Sequence, residues 1–409
     1  MMKTRLTRWV AILLAILLTP MLACSASAMT LTQSPWRTEE EREESATAAT
    51  EFGVEEGALS LSCKSAVLME ATTGAVLYTQ NPNEALPPAS VTKIMTLLLV
   101  MEAIDAGTVR LDDTVAVSAN AASMGGSQVY LKEGERMSVE DLLKSVVIAS
   151  ANDAAVALAE YLAGSVSAFV EKMNAKAERL GMSATHFENV TGLDDTAENH
   201  LTSAFDIALM SKALVSHRDI LQYSSIWMDT IRNGEFGLTN TNRLVRFYQG
   251  CTGLKTGSTS KAGFCVSATA ERDGLSLICV IMGAESRDVR NAAATELLDW
   301  GFANYELCRK EGGTLEPISV TGGNLDVCTV SYSEFIKVLP KGTGKTLTAE
   351  ITLPKTLAAP IKSGAELGKM TFLADGKPVG EIGIYASCDV AKISFFEIFT
   401  RMLAKFLLI

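Results

Sequence analysis

The amino-acid sequence predicts a mixed α+β protein in which helical and strand-like stretches are grouped rather than strictly alternating. Three observations carry that reading. Helical apolar spacing recurs at residues 90–106, 138–150, 153–162 and 288–304; strand–turn–strand signals occur at 65–78 and 262–283; and the C-terminal stretch is made of short β-branched runs broken by Gly and Pro. At 409 residues and 48% apolar composition the chain can bury a large core and suits two or three domains. The formal net charge of -11 offers no basic surface to nucleic acid, so a nucleic-acid partner is excluded.

From the N-terminus, Lys3, Arg5 and Arg8, an apolar run from Trp9 to Leu22, and Ala26-Ser27-Ala28 follow the order of a secretory signal peptide, residues 1–28. Met21-Leu22-Ala23-Cys24 leaves a lipoprotein signal as the alternative. Residues 29–57, rich in Glu, Thr and Ala, read as an acidic solvated tether. The folded body, residues 58–307, opens with a hairpin whose turn is Thr72-Thr73-Gly74. Pro87 and Pro88 stop the segment before the next helix, so Ser90 stands at its N-terminus, and Gly107 closes it. Ser138 opens another helix, and Ser150-Ala151-Asn152 falls between that helix and the one after it.

Lys255-Thr256-Gly257 directly precedes the hairpin turned at Arg272-Asp273-Gly274 and begins its edge strand. The helix at 288–304 then offers Leu297, Leu298, Trp300 and Phe302 to the sheet. Residues 308–390, with strand-like runs at 335–339, 346–353 and 381–385, read as a small β-rich domain with no cluster of chemistry-bearing residues, hence a spacer or docking module. The last stretch, 391–409, forms an amphipathic helix with Ser394, Glu397, Arg401 and Lys405 on one face and Ile393, Phe396, Phe399, Leu403 and Phe406 on the other. It is too charged to span a bilayer and suits a membrane surface, as an anchor.

Of eight cysteines, seven remain once Cys24 leaves with the signal, an odd number that implies no complete disulfide framework. Cys265 and Cys279 sit in apolar strand-like runs and read as buried thiols. No metal-ligand spacing links His186, His200 and His217, so no metal or other cofactor is expected and none of the three has an obvious catalytic setting.

Three short patches remain, and together they describe acyl transfer by a serine without histidine. A serine hydroxyl is a poor nucleophile and needs a base within hydrogen-bond reach. Lys93 lies one helical turn after Ser90 and shares its face, and burial plus the like charge of Lys255 would lower its pKa far enough for it to take the serine proton. Backbone N–H groups at the start of the Ser90 helix, with one from the strand near Thr259, suit an oxyanion. Ser150 can pass a proton between the lysines and a leaving amine, while Asn152 can orient Lys93 and hold a substrate carbonyl. Taken alone, Ser150 and Asn152 would read as helix caps. Lys255 and Thr256 beside a nucleophile suit recognition of a free carboxylate.

The order Ser90-x-x-Lys93, Ser150-x-Asn152, Lys255-Thr256-Gly257 resembles that of penicillin-binding proteins and serine β-lactamases. The stretches 88–96, 150–160, 186–193 and 253–264 narrow the resemblance to the D-alanyl-D-alanine carboxypeptidases among the low-molecular-mass penicillin-binding proteins, over about residue 60 to the C-terminus. That resemblance implies an antiparallel sheet between helical layers, a β-rich second domain and an amphipathic anchor. It implies removal of the terminal D-alanine from peptidoglycan stem peptides through an acyl-enzyme on Ser90, inhibition by β-lactams, and help from Thr259 and Arg290 in holding the substrate carboxylate. Two positions depart from the pattern: Ser258 where some members have histidine, and Phe205 where arginine is frequent. A β-lactamase would need a carboxylate to activate a deacylating water, and none is apparent. A non-catalytic penicillin-binding receptor or scaffold is the remaining alternative, though a pure binding module has little need of both lysines.

Overall fold

The computed structural model describes residues 59–194 and 197–406. The signal peptide assigned to 1–28 and the tether assigned to 29–57 lie outside the described residues. Five antiparallel strands form the central sheet: β1 (Ser65–Glu70), β2 (Val76–Gln80), β3 (Cys251–Thr259), β4 (Gly263–Arg272) and β5 (Leu275–Ala284), in the order β2-β1-β5-β4-β3. The predicted hairpins are β1–β2 and β4–β5, and Asp273 and Gly274 make the second turn with φ of 50° and 80°, the left-handed pair that a two-residue hairpin requires.

Period-two alternation sends successive side chains of each strand to opposite faces. Val67 and Met69 of β1 and Ile278, Val280 and Met282 of β5 face one apolar cluster; Ala66, Leu68, Leu277, Cys279 and Ile281 face another. Both faces are therefore dry, which explains why these strands read as unbroken apolar runs. The first cluster is filled by α1 (Lys93–Asp105), α2 (Val139–Ala149), α3 (Asn152–Ala163), α4 (Val166–Arg179) and α5 (Ala204–Ser216). Helix α1 buries Ile94, Met95, Leu97, Leu98, Val100 and Met101, an almost uniformly apolar surface that only a central helix can hide. The opposite face is covered by α6 (Arg287–Asn304) through Ala293, Ala294, Leu297, Leu298 and Phe302.

One local prediction needs correction. The helix does not begin at Ser90: Ala89–Thr92 form a single 3-10 turn, and α1 starts at Lys93. Ala89 has φ of 48°, outside the right-handed helical region, so a regular α-helix cannot enter through it.

After α6 the chain enters β6 (Tyr305–Lys310), β7 (Gly313–Thr321), β8 (Val327–Tyr332), β9 (Phe335–Pro340), β10 (Thr348–Thr352), β11 (Thr356–Ala358), β12 (Glu366–Ala374) and β13 (Lys377–Ala386). Strands β6 and β9 pair with each other, and the remaining six form a sheet in the order β10-β12-β13-β8-β7-β11. Its small core contains Ile318, Val330, Phe335, Met370, Phe372 and Ile384, with the rings of Phe335 and Phe372 stacked at 4.0 Å. Val338 of β9 packs instead into the α6 cluster, tying the two cores together. The chain then reaches α7 (Phe395–Phe406), shorter at its start than the predicted helix.

Candidate active site

The 3-10 turn has a direct chemical consequence. With three residues per turn, side chains at i and i+3 eclipse, so Lys93 stands directly beside Ser90. Lys93 Nζ lies 2.9 Å from Ser90 Oγ and donates to the Thr191 carbonyl at 2.8 Å. The amine is fully buried, and desolvation, reinforced by the positive charge of Lys255, holds its pKa well below the usual lysine value. The carboxylate of Asp153 opposes that shift, but it already accepts backbone N–H bonds from Val129, Leu131 and Ala154. A neutral amine beside a serine hydroxyl is a general base in position.

Ser150 ends α2 in the left-handed conformation, φ 63°, and is 4% exposed; among the described residues its hydroxyl has no hydrogen-bond partner. A hydroxyl left uncommitted by the fold is available for a proton relay. Asn152 opens α3 at 2% exposure. Its Nδ2 donates to the Gly125 carbonyl at 2.7 Å and its Oδ1 is buried without a partner. The expectation that Asn152 orients Lys93 is not met by a direct hydrogen bond here; the free atom is an acceptor, suited to an N–H from Lys93 or from substrate.

Lys255 lies on edge strand β3, 1% exposed, with Nζ donating to the Thr256 carbonyl at 2.9 Å. Burial, together with the charge of Arg290, pushes its pKa down to about 7. Thr256 Oγ1 donates to Thr241 Oγ1 at 2.8 Å. Gly257 explains why this strand can lie against the nucleophile turn: a Cβ there would sit 2.7 Å from Ser90 N and 2.9 Å from Val91 N. Arg290, 3% exposed at the start of α6, reaches the Cys265 carbonyl at 3.4 Å and Asn291 Oδ1 at 2.8 Å. The Thr259 hydroxyl donates to Asp194 Oδ2 at 2.5 Å and accepts from Ala262 N. Thr256, Thr259 and Arg290 are thus brought to the Lys255 side of the site, each already engaged within the protein.

Asn189, Gly192 and His200 supply what the sequence reading missed. Gly192, with φ of 80°, runs so close under the nucleophile turn that a Cβ would fall 1.8 Å from the Ala89 carbonyl oxygen. Asn189 Oδ1 accepts from the N–H groups of Thr191 and Gly192 and thereby aims the Thr191 carbonyl at Lys93. His200 has a structural setting behind the nucleophile turn, consistent with the expectation that no histidine stands in a catalytic position. Its Nδ1 accepts from Glu188 N at 3.0 Å, which leaves Nε2–H to donate to Thr92 Oγ1 at 2.8 Å, and Thr92 in turn donates to the Ala89 carbonyl at 2.9 Å. Desolvation pushes its pKa down to about 4, so the ring is neutral and braces the strained residue before Ser90. Only the chain crossing between α4 and α5 brings His200 there, and no spacing rule could have revealed it.

Comparison with known proteins accounts for this arrangement. The profile of the D-alanyl-D-alanine carboxypeptidase family matches residues 50–286, more than half of the chain. The chain belongs to that family. A second profile, the C-terminal domain of penicillin-binding protein 5, matches residues 305–392. This carboxypeptidase is 42% identical to the D-alanyl-D-alanine carboxypeptidase DacF of Bacillus subtilis over 346 residues, covering 83% of the chain and 88% of the relative. It is 35% identical to DacC of Escherichia coli, covering 85% and 90%. Among solved structures it superimposes on penicillin binding protein 5 from Haemophilus influenzae with a TM-score of 0.72 and 30% identity, over 82% of this chain and 100% of that one. Penicillin-Binding Protein D2 from Listeria monocytogenes, solved in the ampicillin-bound form, matches 60% of this chain and 99% of its own at a TM-score of 0.55 and 34% identity. The protein is accordingly a serine-type D-alanyl-D-alanine carboxypeptidase of the penicillin-binding class, and its sheet between helical layers is the fold of that class.

Of the two departures from the family pattern, Ser258 is solvent-exposed, and Phe205 packs against the main core with its N–H on the Pro82 carbonyl. Neither touches the Ser90–Lys93 pair.

Proposed function

We propose that Ser90 is the nucleophile and Lys93 its base, acting on the peptide bond between the two terminal D-alanines of a peptidoglycan stem peptide. Ser90 Oγ attacks the carbonyl carbon as its proton passes to Lys93, and backbone N–H groups at Ser90 and on β3 receive the oxyanion. Ser150 relays a proton to the leaving amine, D-alanine departs, and water hydrolyses the Ser90 ester. Protonated Lys255, with Thr256, Thr259 and Arg290, meets the free carboxylate at the substrate terminus. A substrate carboxylate there must exchange with the Asp194 and Asn291 contacts that now occupy Thr259 and Arg290. β-Lactams, which present a carboxylate and a strained amide in the same relation, acylate Ser90; the ampicillin-bound Listeria relative supports this.

The single observation that carries the assignment is the 2.9 Å approach of a fully buried amine to Ser90 Oγ. We further infer that the enzyme is exported by residues 1–28 and held at the outer face of the cytoplasmic membrane by α7, which exposes Phe395, Phe396, Phe399, Met402 and Phe406. No single helix among the described residues is long and apolar enough to cross a membrane, which is compatible with a surface-lying anchor.

The test is release of free D-alanine from a peptide ending in D-Ala-D-Ala, with Ser90→Ala beside the parent. Release and penicillin labelling by the parent alone are expected. Covalent labelling without release would favour the receptor role, and turnover by Ser90→Ala would remove Ser90 from the mechanism.

A further inference from the structure

Two cysteines of the C-terminal domain share one small apolar cluster: Cys328 on β8 and Cys388 just past the end of β13. Strands β8 and β13 pair antiparallel with Val330 opposite Ala386, Ser331 opposite Tyr385 and Tyr332 opposite Ile384. Continued toward the end of β13, the same register sets Thr329 opposite Ser387, whose N–H donates to the Thr329 carbonyl at 2.9 Å. One step further along the same path, two residues past the end of β13, Cys388 comes alongside Cys328. The step after a hydrogen-bonded pair is a non-hydrogen-bonded one, where facing Cα atoms come to about 4.5 Å and side chains are closest. That separation falls within the range a disulfide spans. Both cysteines lie in one small apolar cluster with Ile361, Ala386 and Val390, and each thiol influences the titration of the other.

We propose that Cys328 and Cys388 form a disulfide that staples the root of the C-terminal helix to the β domain. The two thiols differ in the way the reaction needs. Cys388 is partly accessible and its Sγ also receives the Thr329 hydroxyl at 3.6 Å, whereas Cys328 is fully buried. Burial tends to raise the Cys388 thiol, but the Thr329 hydrogen bond and the neighbouring Cys328 thiol outweigh it and leave it below its ordinary value. Cys388 thiolate attacks an external disulfide, either a low-molecular-mass disulfide or that of a thiol oxidoreductase, and releases one thiol. Cys328 then loses its proton and attacks the Cys388 sulfur of the mixed disulfide, expelling the second thiol. Two protons and two electrons leave the pair, and the oxidant becomes two thiols. Among the other described cysteines, Cys63, Cys251 and Cys265 are pushed up to about 11 by burial, which disfavours them as competing thiolates.

The position of the cross-link gives it a mechanical role. From Cys388 the chain continues through Val390, which pairs with Ile361, and Ala391, whose carbonyl accepts Asn324 N, directly into α7. A bond across Cys328 and Cys388 closes a loop containing most of the β domain and fixes the strap on which α7 hangs.

The test equilibrates the folded full-length protein with oxidised and reduced glutathione, traps free thiols by alkylation and maps the peptides. The expected result is a cross-linked pair containing 328 and 388. Reduction should then lower the unfolding midpoint of the β domain by about 5 °C or more and speed proteolysis between 387 and 394, with penicillin labelling at Ser90 unchanged. Cys328→Ser should behave as the reduced protein in both oxidised and reduced buffer. Full alkylation of both cysteines in oxidised buffer, a stable glutathione adduct on Cys388 in the parent, or a cross-link elsewhere would each overturn the proposal. The parent comparison needs no substitution, so it stands even where a variant folds poorly.

Discussion

The nucleophile turn and the C-terminal helix break the usual rule of burial in opposite directions. Around Ser90 the fold hides Lys93, Lys255 and Arg290 at 3% exposure or less, groups that cost free energy to remove from water. On α7 it leaves Phe395, Phe396 and Phe406 at 77% exposure or more, groups that would be more stable covered. The first misfit is answered inside the molecule, because lysines crowded together in an apolar setting give up protons and become reactive. The second has no answer among the described residues: α7 is held at its polar side by Arg401 on Asp326 at 2.8 Å, and its apolar side faces out. The proposed chemistry and the proposed attachment are thus each marked by a residue class placed where it is least comfortable.

Breaking the buried-charge region should have the largest effect. Lys93→Ala removes the base and should lower kcat by at least about a thousandfold while the protein still unfolds cooperatively; retention of more than a tenth of parental turnover would separate Lys93 from the reaction. Next comes Lys255. Because its folded pKa lies near 7, its charge is present below that pH and fades above it, so kcat/KM for a carboxylate-bearing peptide should fall as pH rises through 7. Lys255→Arg, which stays charged, should abolish that alkaline fall, and an unchanged profile would refute the assignment.

The brace behind the nucleophile separates position from charge more finely. His200 binds protons more weakly folded, at about 4, than unfolded, at about 6.5, so its contribution to stability is complete above pH 6.5 and lost as pH falls through 4, by about 3 kcal/mol. His200→Gln can donate to Thr92 and accept from Glu188 without titrating. It should keep neutral-pH kcat within about threefold and flatten the stability profile between pH 6.5 and 4, whereas His200→Ala should lower kcat about tenfold with KM little changed. Equal loss in both variants would show a purely steric role. The smallest effect on catalysis belongs to the other region: a chain ending at residue 391 should keep kcat/KM on a short peptide within twofold yet lose binding to lipid vesicles. Undiminished vesicle binding would place the attachment elsewhere.

Much of the site could be read in advance because its parts are local. Ser90 and Lys93 are three residues apart, so any helical turn brings them together, and Ser150-Ala151-Asn152 occupies a break between two strongly periodic helices. The hairpins were legible from their apolar, β-branched runs and from Asp273-Gly274, and the exposed face of α7 from the spacing of its phenylalanines. Other features depend on contacts between distant segments and leave no local pattern. The 3-10 geometry of the turn depends on Ala89, pinned by Thr92 and His200; the depressed pKa of Lys93, expected in direction from the residue types, rests first on burial and then on Lys255 arriving from a strand far along the chain. Asp194 on the Thr259 hydroxyl, and Cys328 and Cys388 in one cluster, likewise follow from the path of the chain between distant elements.

By itself the sequence determined which residues could do the chemistry, because nucleophile, base, carboxylate-binding cation and amphipathic tail are set by residue type and short-range periodicity. Tertiary structure alone decided how reactive they are. Desolvation, like-charge repulsion and the commitment of each hydroxyl to a partner are properties of what surrounds a group, and that is settled only when the sheet closes against the helices.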